Sequence, residues 1–125
     1  MNLKDFTGVE YINLITYKKD KTPITTPVWV ADFSNSLVIT TSLNAGKVKR
    51  VRNNGQATIY ITNQSGSKKL SESIDLKASL IEDVDLKKQA ADVIRKKYGM
   101  MAKMIMKGPD ENRAIIRLEE KEGEK

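Results

Sequence analysis

The side chains most able to do chemistry are concentrated in one short stretch. Lys47, Lys49, Arg50 and Arg52 follow one another closely, and no acidic residue occurs between Ser34 and Gln64 to neutralise them. The chain as a whole carries +6, and because the tail from Glu119 is acidic, the excess of positive charge is local rather than uniform. Clustered, uncompensated cations call for an anionic partner, which is nucleic acid, an acidic membrane surface or a phosphorylated small molecule. The residues that are missing narrow the chemistry further. With no histidine there is no Ser-His-Asp triad, no imidazole base, no HExxH zinc site and no histidine-ligated haem. With no cysteine there is no disulfide, no thiolate metal site and no thiol nucleophile. Neither a metal nor a haem is therefore expected.

The elements that must position the cations read as β-strands around a short helix. Tyr11 to Tyr17 is rich in β-branched and aromatic residues and ends at the charged, proline-containing KKDKTP. Ile24 to Phe33 resumes the strand pattern with Pro27 inside it, which predicts an edge position or a bulge. After the Ser34-Asn35-Ser36 turn, Leu37 to Thr41 is a third strand, so the first half is expected to open as an antiparallel meander. The period then changes. Val48 and Val51 fall at three-residue spacing within Ala45 to Asn54, a short helix capped by Asn44 and stopped by Asn53-Asn54-Gly55. Ala57 to Thr62 and Ser71 to Ile81 are strands. Asp83 or Asp85 caps a second helix to about Tyr98, with Leu86, Ala90, Val93, Ile94 and Lys97 along one face and a strongly basic outer face. A methionine-rich segment follows Gly99, suited to filling irregular gaps or adapting to a ligand. Arg113 to Leu118 is the last strand, and residues 119–125 are expected to be a flexible acidic tail. These elements predict one mainly-β domain over residues 1–125, a six-stranded antiparallel barrel with helical insertions.

The strings YINLITYKKDKTPITTPVWV, GKVKRVRNN and RKKYGMMAK, in this order, resemble the pyridoxamine-phosphate-oxidase-like split-barrel flavoproteins, and within them the deazaflavin-dependent oxidoreductases. The resemblance covers Glu10 to Leu118 and implies an FMN-binding type of split barrel. It places the flavin ring along Thr26, Pro27, Val28 and Trp29. It places the phosphate at Thr40, Thr41, Ser42 and Lys47, with Lys49, Arg50 and Arg52 assisting. Hydroxyls and an ammonium converging near a helix start suit a phosphate on physical grounds as well. The implied cofactor is FMN or the deazaflavin coenzyme F-420. The deazaflavin is preferred, because its polyglutamate tail needs a longer basic track than the single phosphate of FMN: Lys49, Arg50 and Arg52 extend beyond Lys47, and Lys87, Lys88, Lys96, Lys97 and Lys103 add positive charge if the second helix packs near them. Such a cofactor carries out hydride transfer itself, so the lack of histidine and cysteine is no obstacle to an oxidoreductase acting on a small organic substrate. Tyr98 or Lys97 is the nearest side chain to steer or protonate that substrate.

A small nucleic-acid-binding barrel is the alternative of another class, but aromatic residues make up only 6% and none interleave with the basic stretch. A cofactor carrier without turnover is a third reading. The resemblance implies a homodimer whose partner completes the pocket, and edge strands interrupted by Pro27 leave surface for a partner to cover. No apolar run approaches the ~20 residues of a membrane span, and the N-terminus has no signal-peptide core, so a soluble, cytoplasmic protein without membrane or nucleic-acid partners is expected.

Overall fold

The structure is a computed structural model and describes residues 1–106 and 108–121. The period-2 segments form strands β1 (Tyr11–Tyr17), β2 (Pro23–Trp29), β3 (Ala31–Phe33), β4 (Ser36–Ser42), β5 (Gln56–Ile61), β6 (Ile74–Leu80) and β7 (Arg113–Glu119). Helices α1 (Gly46–Asn53), α2 (Val84–Tyr98) and α3 (Met100–Ile105) lie between them, and Leu3–Phe6 and Asp110–Asn112 form single 3-10 turns. All strand pairs are antiparallel, in the order β2-β1-β5-β6-β7-β4-β3.

This is the expected split barrel with seven strands instead of six, because the segment from Ile24 to Phe33 breaks at Val30. The Val30 N–H donates to the Tyr98 hydroxyl at 3.0 Å, and the Val30 carbonyl accepts from Lys97 Nζ at 2.5 Å. The C-terminal end of α2 thus takes over the backbone groups that a continuous strand would have paired. The expected meander is also modified. The β1–β2 and β3–β4 hairpins form, but β4 pairs with β7 and β5 returns to β1. Pro27 sits in β2, an edge of the sheet, as its missing N–H requires. The sheet curls until β2 comes against β4 without pairing to it, and that seam is the split in the barrel.

The curled sheet buries side chains on both faces. Ile12, Leu14, Leu37, Ile39, Ile59, Leu76, Ile116 and Leu118 fill the barrel interior, joined by Leu3 and Phe6 from the first 3-10 turn. That turn carries a capping box in which Asn2 accepts from Lys4 N and Asp5 accepts from Asn2 N. Outside, Val38 and Ile115 pack against Ala90, Ala91 and Ile94 of α2 and Ala102 and Met106 beyond it. This explains why β4 is buried on both faces and reads as a nearly continuous apolar run. Asp83 is the cap of α2, its carboxylate accepting from Leu86 N at 3.0 Å, whereas Leu86 itself stays exposed. α1 buries Val48 and Val51 as its spacing requires, but its cap is Ala45, without a side-chain bond, rather than Asn44. Glu119 pairs with Lys77 as the end of β7, so the expected tail starts later, and residues 122–125 lie outside the described residues. No described helix is long and apolar enough to cross a membrane.

Candidate functional site

The seam between β2 and β4 holds a cavity of about 250 Å³. Its floor is a consequence of the unpaired edge, since Thr26, Pro27, Val28 and Trp29 of β2 face Thr40 and Thr41 of β4 across a gap that no ladder closes. Lys47 enters from the first turn of α1 and Arg113 from the start of β7, while Tyr11, Gln64 and Ile105 complete the wall. Gln64 reaches it because the loop after β5 folds down onto the sheet. There Gly66 adopts φ +77°, its carbonyl accepts from Asn13 Nδ2 at 3.0 Å, and a Cβ would stand 2.8 Å from Asn13 Oδ1 and 3.1 Å from Pro27. A larger cavity, about 700 Å³, lies at the β3–β4 turn, but Asp32, Glu119 and Glu120 line it against a single cation, Lys4. Its charge is wrong for an anion.

The lining of the seam cavity is of two chemical kinds. Lys47, Arg113, Thr40, Thr41 and Thr26 supply donors, whereas Tyr11, Pro27, Val28, Trp29 and Ile105 supply aromatic and apolar surface, and no carboxylate takes part. Arg113 Nε donates to Thr40 Oγ1 at 2.9 Å, which holds the guanidinium beside that hydroxyl. Burial pushes the Lys47 ammonium below the usual lysine pKa, and the neighbouring Arg50 charge adds to the effect. Burial lowers Arg113 too, opposed by Asp110. An incoming anion would relieve both penalties.

Residues 3–124 match the pyridoxamine 5'-phosphate oxidase family. The chain belongs to this family. No curated protein matches it. Among solved structures, the haem storage protein HutZ of Vibrio cholerae is similar with TM-score 0.73 and 19% identity, covering 98% of this chain and 93% of that one. A FAD-binding protein from Mesorhizobium loti gives TM-score 0.69 at 12% identity, over 96% and 88%. An F-420 reductase gives TM-score 0.62 at 15% identity, over 95% and 93%. At these identities the likeness is one of fold, and this fold carries flavin-type and haem ligands in the named proteins.

Of the residues that the family resemblance singles out, Thr26, Pro27, Val28, Trp29, Thr40, Thr41 and Lys47 meet at the seam cavity. Ser42, Lys49, Arg50 and Arg52 do not line it. Ser42, Lys49 and Arg52 are exposed, and Arg50 turns inward, where its Nε donates to Thr16 Oγ1 at 2.6 Å. The reason is helical: on a helix of two turns only one face meets the sheet, so four cations in six positions cannot converge. Lys97 and Tyr98 are engaged elsewhere. Lys97 Nζ donates to the Val9 and Val30 carbonyls, each at 2.5 Å. The Tyr98 hydroxyl lies 2.5 Å from the Glu10 carbonyl and 2.9 Å from that of Val30, one of which takes its single proton. Its ring stacks on Trp29 with centroids 4.3 Å apart. Neither residue lines the seam cavity, which Tyr98 supports through its stacking on Trp29. Arg113, Tyr11, Gln64 and Ile105 escaped sequence reasoning. Arg113 had a signal as a cation opening the last strand, and Ile105 lies in the methionine-rich segment suited to adapting to a ligand.

Proposed function

We propose that the chain binds a phosphorylated flavin-type cofactor in the seam cavity and, as a homodimer, passes a hydride between that cofactor and a small organic substrate. The observation that carries this reading is the make-up of the cavity lining, which combines two cations and threonine hydroxyls with aromatic and apolar side chains and no carboxylate. Ammonium, guanidinium and hydroxyl donors together are the set that holds a phosphate. The residues present fit the group: Lys47, Arg113, Thr40 and Thr41 would hold its phosphate, and Pro27, Val28 and Trp29 would flank its ring and exclude water. A bound flavin ring supplies the hydride chemistry, for which the chain needs no nucleophile of its own.

The choice between cofactors turns on the basic track. Arg50 is engaged with Thr16 and Lys97 with backbone carbonyls. α1 packs mainly on β1, β6 and β7, and α2 mainly on α3, β3, β4 and β7, so the lysines of α2 belong to a different part of the sheet from the α1 cluster. Of the wider set only Lys103 shares a helix, α3, with a cavity residue, Ile105. These placements support FMN, with its single terminal phosphate, over the polyglutamate-tailed deazaflavin. The exposed Met100, Met104 and Ile105, the last of which also lines the cavity, support a second copy of the chain as the remaining wall. Titration of the purified protein with FMN, riboflavin and the deazaflavin at two ionic strengths tests the reading. FMN is expected to bind more tightly than riboflavin, and deazaflavin affinity is expected to show no steeper salt dependence than FMN affinity. Equal affinity for FMN and riboflavin would overturn it. Sedimentation is expected to give a dimer burying more than ~1,000 Å² in total. The fold of HutZ supports haem binding without turnover as a second reading, and a Soret band in the purified protein, in place of a flavin spectrum, would select it.

A further inference from the structure

The second cation of the cavity is left free by an ion pair that lies outside it. Arg113 opens β7 immediately after the Asp110–Asn112 turn, which places a carboxylate three residues from its guanidinium. Asp110 does not take that guanidinium. Arg95 of α2 grips it instead, with Nη1 3.2 Å from Oδ2 and Nη2 on Oδ1, and Arg95 is itself steadied by Asp92 at 3.1 Å. Arg113 is then available to bond Thr40 and line the cavity. The three groups do sense one another. Arg95 and Asp110 act in opposite directions on Arg113, and Arg113 and Lys88 add to the effect of Arg95 in holding the Asp110 carboxyl below the usual range.

We infer that Arg95 is a positioning residue for the anion site: by occupying Asp110 it keeps the Arg113 guanidinium directed into the cavity and uncompensated. A carboxylate pairs best with a planar two-pronged donor, so Asp110 released from Arg95 would turn to Arg113, the guanidinium nearest in sequence. The inference rests on the phosphate reading above and adds that a residue outside the cavity sets the affinity.

The test is equilibrium binding of FMN and of riboflavin to the wild type, Arg95→Ala, Asp110→Asn and the double variant, with circular dichroism to establish folding. In Arg95→Ala the preference for FMN should fall roughly tenfold, the scale of one charge-assisted contact, while riboflavin affinity holds. Asp110→Asn should keep at least the wild-type preference, and the double variant should regain it, since no carboxylate is left to compete. A folded Arg95→Ala protein with unchanged preference would overturn the inference. So would a folded double variant that stays at the single-variant level, or a drop in Asp110→Asn. If the wild type has no preference for FMN, all four proteins will behave alike, and the phosphate reading falls together with the inference.

Discussion

Partial burial holds both Lys47 and Lys97 below the usual lysine pKa, although Lys97 is the more exposed residue, and their surroundings differ in kind. Lys97 leaves much of its stem exposed and tucks its ammonium onto the Val9 and Val30 carbonyls, with the Asp32 and Glu10 charges favouring its protonated form. Lys47 has the opposite setting. Its charged neighbour is Arg50, and among the described residues it donates no hydrogen bond to a protein acceptor. A cation with a lowered pKa is thus a poor marker of a binding site by itself. What distinguishes Lys47 is that its donors remain unengaged beside hydroxyls and a second cation in a cavity.

The sharpest way to break this comparison is to remove each charge in turn. Lys47→Ala should weaken FMN binding about ten- to a hundredfold, since a hydrogen bond to a charged group contributes roughly 1.5–3 kcal/mol, and leave riboflavin binding unchanged. An equal loss for both ligands would mean that Lys47 acts through the fold. Next in size, Tyr98→Phe should lower stability by about 1–2 kcal/mol in denaturant melts, because the Val30 N–H loses its acceptor. The same variant has a pH signature. Burial is the main cause that raises the Tyr98 pKa to about 12 from 10.0, so its contribution is complete below pH 10 and lost as pH rises towards 12. The wild type should therefore lose stability over that window more steeply than Tyr98→Phe.

Smaller again, Lys97→Met should cost about 1 kcal/mol, since the Val9 and Val30 carbonyls lose the donor they share, and should leave the ratio of FMN to riboflavin affinity unchanged. A change in that ratio would place Lys97 in the binding site and erase the contrast with Lys47. Least of all, Lys49→Ala and Arg52→Ala should alter stability by no more than ~0.5 kcal/mol and leave FMN affinity within twofold, as expected of exposed helix residues. A tenfold loss in either would show that the basic stretch acts as a unit after all.

The strands, the two longer helices and their approximate limits could be read from local pattern, because alternation and three-residue spacing reflect burial that each segment imposes on itself. Pro27 announced an edge, and Asp83 was one of two foreseen caps of α2. The first 3-10 turn is too short to show a period, although Asn2 and Asp5 carry its capping box and its Leu3 and Phe6 belong to the core. The break at Val30 had no local sign, since the groups that cause it, Lys97 and Tyr98, come 67 and 68 residues later.

The sequence by itself determined that the chain is a mainly-β barrel, that side-chain chemistry based on histidine or cysteine is closed to it, and that an uncompensated cluster of cations surrounds Lys47. These are properties of composition and short-range period, which no packing can alter. Only the tertiary structure decided which of those cations face a common space. Helical geometry sent Lys49 and Arg52 to solvent and Arg50 to Thr16, while the pairing of β4 with β7 brought in Arg113 from the far end of the chain. The direction of a cation depends on which strand lies beside it, and antiparallel pairing between segments more than seventy residues apart leaves no trace in either segment alone.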